Sequence, residues 1–156
     1  VINAIAARYN TPGLPQLYVT QCQPCRVMAN REALEQVVLH LVQNAFDASP
    51  EGMAVFLQVS ADSLHGMIEV VDTGSGMSAE FIRNRLFKPF VSTKQGGFGI
   101  GAFEARELVK AMRGRLDVES REGLGSRFTI RLPLTAARSL IDSIEDGADP
   151  LDKKVA

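Results

Sequence analysis

The sequence predicts an α+β fold, a two-layer α/β sandwich in which helices cover one face of a mixed, mainly antiparallel sheet. Three observations predict it. Strand-like and helix-like patterns alternate along a chain of 156 residues that contains no internal repeat, as expected of one two-layer domain. The candidate strands come largely as neighbours joined by short polar turns, and hairpin neighbours are antiparallel by construction, which disfavours a doubly wound parallel sheet. Hydrophobic residues make up 46% of the chain, enough for a sizeable core and too many for a disordered chain.

Residues 1–9 read as the end of a helix, stopped by Thr11-Pro12-Gly13-Leu14-Pro15, because proline fixes φ and lacks an N–H. Residues 1–15 are therefore expected to be a linker or the stub of a preceding helical domain. Gln16–Gln21 and Arg26–Met28 read as two short strands of a hairpin, and Asn30 is a good N-cap for a helix running to about Ala48. In that helix Leu34, Val37, Val38, Leu41, Val42 and Ala45 recur at helical intervals, committing one face to a core. Ala54–Ser60 and Met67–Val71 read as a hairpin around a polar turn. Ser78 caps a short helix over Ala79–Leu86, and a longer helix covers Ala102–Met112 with Gly114 ending it. Arg115–Ser120 and Arg127–Leu132 pair around Gly123-Leu124-Gly125. The domain is thus expected over 16–133, with 134–156 an appendage of unassigned role.

Charge and apolar content exclude several classes. Seventeen Lys and Arg oppose 18 Asp and Glu, a formal net charge of −1, so the chain does not grip nucleic acid by bulk charge. No apolar run approaches the roughly 18 to 20 residues that cross a bilayer, and the opening VINAIAARYN lacks the pattern of a signal peptide. A cytoplasmic domain without direct membrane contact is expected, even if the whole protein is anchored. Cys22-Gln23-Pro24-Cys25 has the spacing of a redox pair or half a zinc site. His40 and His65 are the only histidines to complete a metal site, and Pro24 sits where a redox motif should open a helix; a reduced hairpin is the expected state.

The polar residues are more telling. Gln36, His40 and Asn44 are successive i, i+4 neighbours with Asp47 three further on, a polar edge on an otherwise apolar helix. Asp72-Thr73-Gly74-Ser75-Gly76 ends a strand, Phe87-Lys88-Pro89-Phe90 follows the short helix, and Gly96-Gly97-Phe98-Gly99-Ile100-Gly101 opens the next. Taken singly each glycine run is most often a turn. In order, an Asn-bearing helix, Asp72-x-Gly74-x-Gly76, Phe87-x-x-Phe90, Gly97-x-Gly99-x-Gly101 and Gly123-x-Gly125 resemble the N, G1, F, G2 and G3 boxes of the GHKL (Bergerat) ATP-binding superfamily. The resemblance covers about Val27 to Leu132 and is nearest to the catalytic and ATP-binding domain of bacterial sensor histidine kinases. Phe87–Lys94 and Gly99–Val109 further resemble the sensor kinases that accompany PEP-CTERM (exosortase) systems.

This resemblance implies ATP and Mg²⁺ as cofactors, transfer of the γ-phosphoryl group to histidine on a dimerisation domain, and a response regulator downstream. Asn44 would ligate Mg²⁺, which accepts one neutral amide oxygen when substrate phosphates and water supply the rest. Asp72 would accept from the adenine amino group and face guanine's carbonyl with a carboxylate. Gly74 and Gly76 would let the backbone approach the base, with Met77 beside it and Ser126 fixing a water. Phe87–Gly101 would be a lid, mobile without nucleotide, with Phe90 as an aromatic anchor. Gly97, Gly99, Ile100 and Gly101 would bring backbone N–H groups and a helix N-terminus to the phosphates, and Lys94 would meet the γ-phosphate.

Two departures separate the chain from the pattern. His40 stands where most histidine kinases have Asn and hydrolytic or anti-sigma serine-kinase relatives have Glu; imidazole can bind a phosphate oxygen but is a different base from a carboxylate. Asp47 replaces a common cation, shifting charge compensation to Mg²⁺, Lys94 and the lid. Neither His40-Leu41-Val42 nor His65-Gly66-Met67 resembles a phosphoacceptor motif, so the acceptor is expected outside this chain. The alternatives are a non-catalytic nucleotide-dependent interaction module and, disfavoured by His40, a GHKL ATPase or anti-sigma serine kinase.

Overall fold

The computed structural model describes residues 1–10, 12, 16–89, 100–137, 140, 143 and 144. Helix α1 (Ile2–Tyr9) precedes strand β1 (Leu17–Cys22), helix α2 (Arg31–Ala48), strands β2 (Val55–Ala61) and β3 (His65–Asp72), and the short α3 (Ala79–Phe81), which continues as a π-helical stretch over Ile82–Leu86. Helix α4 (Ala102–Ala111) leads to β4 (Arg115–Arg121) and β5 (Gly125–Pro133). The five strands form one sheet in the order β1-β2-β3-β5-β4. β1 runs parallel to β2, and the remaining neighbours are antiparallel. The mixed, mainly antiparallel sandwich is therefore present, with α2 as the crossover that a parallel pair requires.

Period-two alternation places each strand's apolar set on one face. Val55, Leu57, Val59, Ile68, Val70, Leu116, Phe128, Ile130 and Leu132 are buried there. Against them lie Leu34, Val37, Val38, Leu41, Val42 and Ala45 of α2 and Ala105 and Val109 of α4, all buried. The opposite face of the sheet is solvated: Tyr18 stacks on Phe56 with centroids 6.1 Å apart, and Arg127 lies between Glu69 (3.8 Å) and Glu119 (3.7 Å). Such exposed ion pairs contribute little; the covered face carries the stability.

Local chemistry ends the helices as the sequence implies, with two differences. Asn30 Oδ1 accepts from Ala33 N–H at 2.9 Å and Ser78 Oγ from Phe81 N–H at 3.1 Å, caps worth about 1 kcal/mol each. At the end of α4, however, Arg113 takes the left-handed conformation (φ 57°) that glycine usually supplies. Gly114 N–H donates to Val109 O at 2.9 Å and Arg113 N–H to Lys110 O at 2.9 Å. Gly114 is needed for a different reason, because a Cβ there would stand 2.4 Å from Arg131 O.

The expected hairpin between Gln16–Gln21 and Arg26–Met28 does not form. β1 is taken by β2, with Leu17 opposite Val55, and Val27 makes an isolated antiparallel bridge to Leu134. Gln23 N–H donates to Val59 O (3.0 Å), and Arg26 O accepts from Thr135 N–H (2.9 Å). Residues 23–27 thus cross the end of the sheet, and Cys25 Sγ and Val27 Cγ1 fill the space where Gly66 lacks a side chain. Both cysteines are free and exposed. The long-range partners of this short apolar run outcompete the local hairpin, which would have had no covered face of its own.

Helix α1 is packed on this domain. Ile5 is fully buried, Tyr9 stacks on Phe46 of α2 at 5.2 Å, and Arg8 approaches Glu35 at 3.8 Å. Among the described residues, no helix is long and apolar enough to cross a membrane. Ile5→Ala is expected to lower unfolding free energy by about 2 to 5 kcal/mol, measured by urea denaturation; an unchanged midpoint would place α1 outside the cooperative unit.

Candidate functional site

Sheet register assembles the site. Ser126 on β5 lies directly opposite Asp72 on β3 and, on its other side, opposite Ser120 on β4. The row beneath is apolar, Val70, Phe128 and Val118, so the sheet's covered face changes from hydrocarbon to polar at one end. Asp72 and Ser126 are both buried.

Asp72 Oδ1 accepts from Gly74 N–H at 2.8 Å. Burial pushes its carboxyl above the ordinary value of 3.8, while the N–H groups of Gly74 and Ser126 pull it back. Among the described residues no cation pairs with it. A buried carboxylate held only by backbone N–H groups retains acceptor capacity on its oxygens.

Ser120 was not singled out by sequence, yet it ties the row to the following loop. Its Oγ accepts from Met77 N–H (2.8 Å), lies 2.8 Å from Ser126 Oγ and reaches Gly125 O at 3.0 Å. The available signal was a polar residue at an inward position of β4, two after Val118 and four after Leu116. Met77 itself is half-buried against the core.

The glycines after Asp72 have reasons internal to the fold. A Cβ on Gly74 would stand 2.2 Å from Ala48 O at the end of α2, and Ser75 N–H donates to that same carbonyl at 3.1 Å. Gly76 (φ 66°) would place a Cβ 1.9 Å from Arg121 O. These glycines clamp the loop between α2 and the β4–β5 turn, which fixes Asp72 relative to the polar edge of α2.

On that edge His40 is buried and Asn44 half-buried, and Asn44 Nδ2 donates to His40 Nε2 at 2.9 Å. The imidazole nitrogen therefore accepts, and the Asn44 oxygen stays outside this bond. Gln36 and Asp47 are exposed, Asp47 Oδ1 accepting from Gln43 Nε2 at 2.9 Å. Gly101 begins α4, and Glu104 Oε2 accepts from its N–H at 2.9 Å, with Ile100 half-buried against the core. Arg106, a second residue not anticipated, places its guanidinium 4.6 Å from the Phe87 ring centroid, and its Nε is buried without a partner among the described residues. Phe90, Lys94, Gly97 and Gly99, and with them most of the expected lid, lie outside the described residues. No group of three or more His, Cys, Asp or Glu among the described residues is placed to hold a metal ion; an oxygen-seeking cation would find the Asn44 amide and whatever oxygens a ligand brings.

A covered sheet ending in a buried, unpaired carboxylate, flanked by a helix with a polar edge and by a second helix N-terminus, is the framework of a nucleotide-binding α/β sandwich. The chain belongs to the histidine kinase-, DNA gyrase B- and HSP90-like ATPase family, whose model matches residues 29–136; ATP binding is expected of this fold. It is homologous to the catalytic domains of sensor histidine kinases. Sporulation kinase D of Bacillus subtilis (strain 168) is 32% identical over 120 residues, 77% of this chain and 23% of that protein, so the chain spans about a quarter of that relative. The nucleotide-free catalytic domain of the histidine kinase ThkA superposes with a TM-score of 0.58 at 27% identity, over 67% of this chain and 69% of that one. The mycobacterial sensor histidine kinase MprB shares the fold at a TM-score of 0.68 and 23% identity, over 85% and 89%.

Two outcomes follow. A carboxyl whose folded pKa lies above its unfolded value stabilises the fold below that value, and the contribution is lost as pH rises through the folded pKa. Without nucleotide, Asp72 should therefore make the protein less stable as pH climbs above the carboxyl's ordinary value of 3.8, and Asp72→Asn should flatten that slope. Parallel melting curves of the two proteins across this range would contradict it. Gly74→Ala and Gly76→Ala should each lower the melting temperature without ligand, since a backbone carbonyl occupies the Cβ position; loss of nucleotide affinity alone, at unchanged melting temperature, would contradict the clamp.

Proposed function

We propose that this chain is the ATP-binding catalytic part of a two-component sensor histidine kinase, which binds Mg-ATP and passes the γ-phosphoryl group to a histidine on a dimerisation domain, from which a response regulator is served. The observation that carries this reading is Asp72, buried at a strand end with no cationic partner among the described residues. A fold that keeps a carboxylate there against its desolvation cost reserves it for a ligand donor, and the adenine amino group has the required chemistry.

In this reading Asp72 and Ser126 select the base, with Gly74, Gly76 and Met77 forming the wall that positions it. Asn44 holds Mg²⁺ through its amide oxygen, and the His40 nitrogen, by taking the amide N–H, orients that oxygen. The ion supplies charge neutralisation along the phosphates. The N-terminus of α4 at Ile100 and Gly101 adds its positive end, Gly97, Gly99 and Lys94 complete the phosphate side, and Phe90 anchors the lid. Phosphoryl transfer depends chiefly on positioning and charge stabilisation, so the chain's share is to hold nucleotide and exclude water, while the nucleophile comes from the acceptor domain. Residues 16–133 form the working domain, and position 40 carries an imidazole where hydrolytic relatives have a carboxylate to activate water.

Asp72→Asn should weaken ADP binding in calorimetry by at least tenfold with the fold retained; unchanged affinity would remove Asp72 from the site. Incubated alone with Mg-ATP, the chain should bind nucleotide but neither label itself nor turn ATP over. With a cognate dimerisation domain, an acid-labile, base-stable label should appear on that domain, abolished by Asn44→Ala and retained in His40→Asn. Rapid hydrolysis by the isolated chain, or label on His40 or His65, would overturn the assignment.

A further inference from the structure

We infer that Ser120 is a specificity-positioning residue, which makes Ser126 an acceptor-only group and thereby enforces selection for a purine with an exocyclic amine over one with a carbonyl at the same place. The inference rests on the proposed adenine site and goes beyond it.

The proton inventory decides the polarity. A serine hydroxyl has one proton and two acceptor sites. Ser120 Oγ has three polar neighbours: Met77 N–H at 2.8 Å, Gly125 O at 3.0 Å and Ser126 Oγ at 2.8 Å. The first can only donate and the second can only accept. If Ser120 gave its proton to Ser126, its contact with Gly125 O would set two acceptors 3.0 Å apart with no hydrogen between them. With the proton on the Gly125 carbonyl bond, all three contacts are satisfied and Ser126 must donate to Ser120. The Ser126 hydroxyl proton is then committed within the protein, and its oxygen meets any ligand with lone pairs alone.

Register adds the second half. Ser126 is opposite both Ser120 and Asp72, so the acceptor-only hydroxyl stands beside a carboxylate that is itself an acceptor. A row of acceptors attracts an amine or a water that offers both protons, and repels a carbonyl. Were Ser126 free to rotate, its proton could turn outward and pair with the oxygen of hypoxanthine or guanine. Ser120 removes that option and, through Met77 N–H, also holds the wall after Gly76 in place.

The test measures ADP and IDP affinities by calorimetry for the wild type, Ser120→Ala, Ser120→Thr, Ser126→Ala and the double alanine variant, with melting temperatures recorded alongside. Ser120→Ala should lose roughly three- to tenfold in ADP affinity, the scale of one or two hydrogen bonds, while IDP affinity holds or rises, so the ADP:IDP ratio collapses. Ser120→Thr keeps a hydroxyl and should keep the ratio. In the Ser126→Ala background the further change at 120 should leave the ratio where Ser126→Ala put it, because the two act as one unit. Equal losses for ADP and IDP in Ser120→Ala would mean a structural role only and overturn the inference, as would an unchanged ratio. Should Ser120→Ala fail to fold, a ratio lost in Ser120→Thr would overturn it and a ratio kept there but lost in Ser126→Ala would support it. A wild type that binds neither nucleotide would sink the adenine site and this inference together, whereas tight ADP binding with an indifferent Ser120 would sink the inference alone.

Discussion

The register of β3, β5 and β4 is the constraint on which the rest of the molecule depends. Asp72, Ser126 and Ser120 share one transverse row because Val70, Phe128 and Val118 share the row below, and Ile68, Ile130 and Leu116 the one below that. A slip of one residue would turn every member of a strand to the other face, exposing Ile68 and Val70 while burying Glu69. Hydrophobic pairing over several rows therefore determines where a polar row falls that has no strong pairing energy of its own. The site inherits its geometry from the core.

The same economy governs the loop after β3. Gly74 and Gly76 each sit where a Cβ would meet a backbone carbonyl, of Ala48 in one case and Arg121 in the other, so their spacing reports close approach of three chain segments. Because Ala48 is the last residue of α2, the clamp sets the polar edge of that helix at a fixed distance from Asp72. The bareness of Gly74 and Gly76 therefore has a cause within the fold itself, the carbonyls of Ala48 and Arg121, beside any approach to a ligand.

How much of this was legible follows from the range of the signals. The α2 helix announces itself through an N-cap and six apolar positions at helical spacing, all of them buried, and the β2–β3 hairpin through alternation and an Asp62 turn whose carboxylate accepts from Leu64 and His65 N–H. Asn44 and His40 were legible as a polar edge on an apolar helix, and Asp72 through the order of the glycine boxes that it opens. Ser120 was not, since serine on a strand is ordinary until the register sets it beside Ser126. Nor was the pairing of Val27 with Leu134, 107 residues apart in sequence by subtraction of their numbers, where local hairpin logic favoured a nearer partner. Arg113 in a left-handed conformation beside Gly114 shows the same limit, because a close approach to Arg131 O claims the glycine that the helix end would otherwise have used.

Helix α2 unites these threads, since it serves the core and the site from different sides of one cylinder. Its apolar stripe fixes rotation about its axis, so that His40 and Asn44, four residues apart, meet each other at 2.9 Å while their neighbours Leu41 and Ala45 are buried. Phe46, next in sequence, extends the helix's contacts in a third direction, to Tyr9 of α1. Burial raises the Tyr9 phenol's pKa above its ordinary value, and Asp47 adds to the shift while Arg8 opposes it. Helix α1 is thus packed against the same turn of α2 that carries Asn44, so in a densely packed interior one helix joins the core, the polar edge and α1 through three different sides.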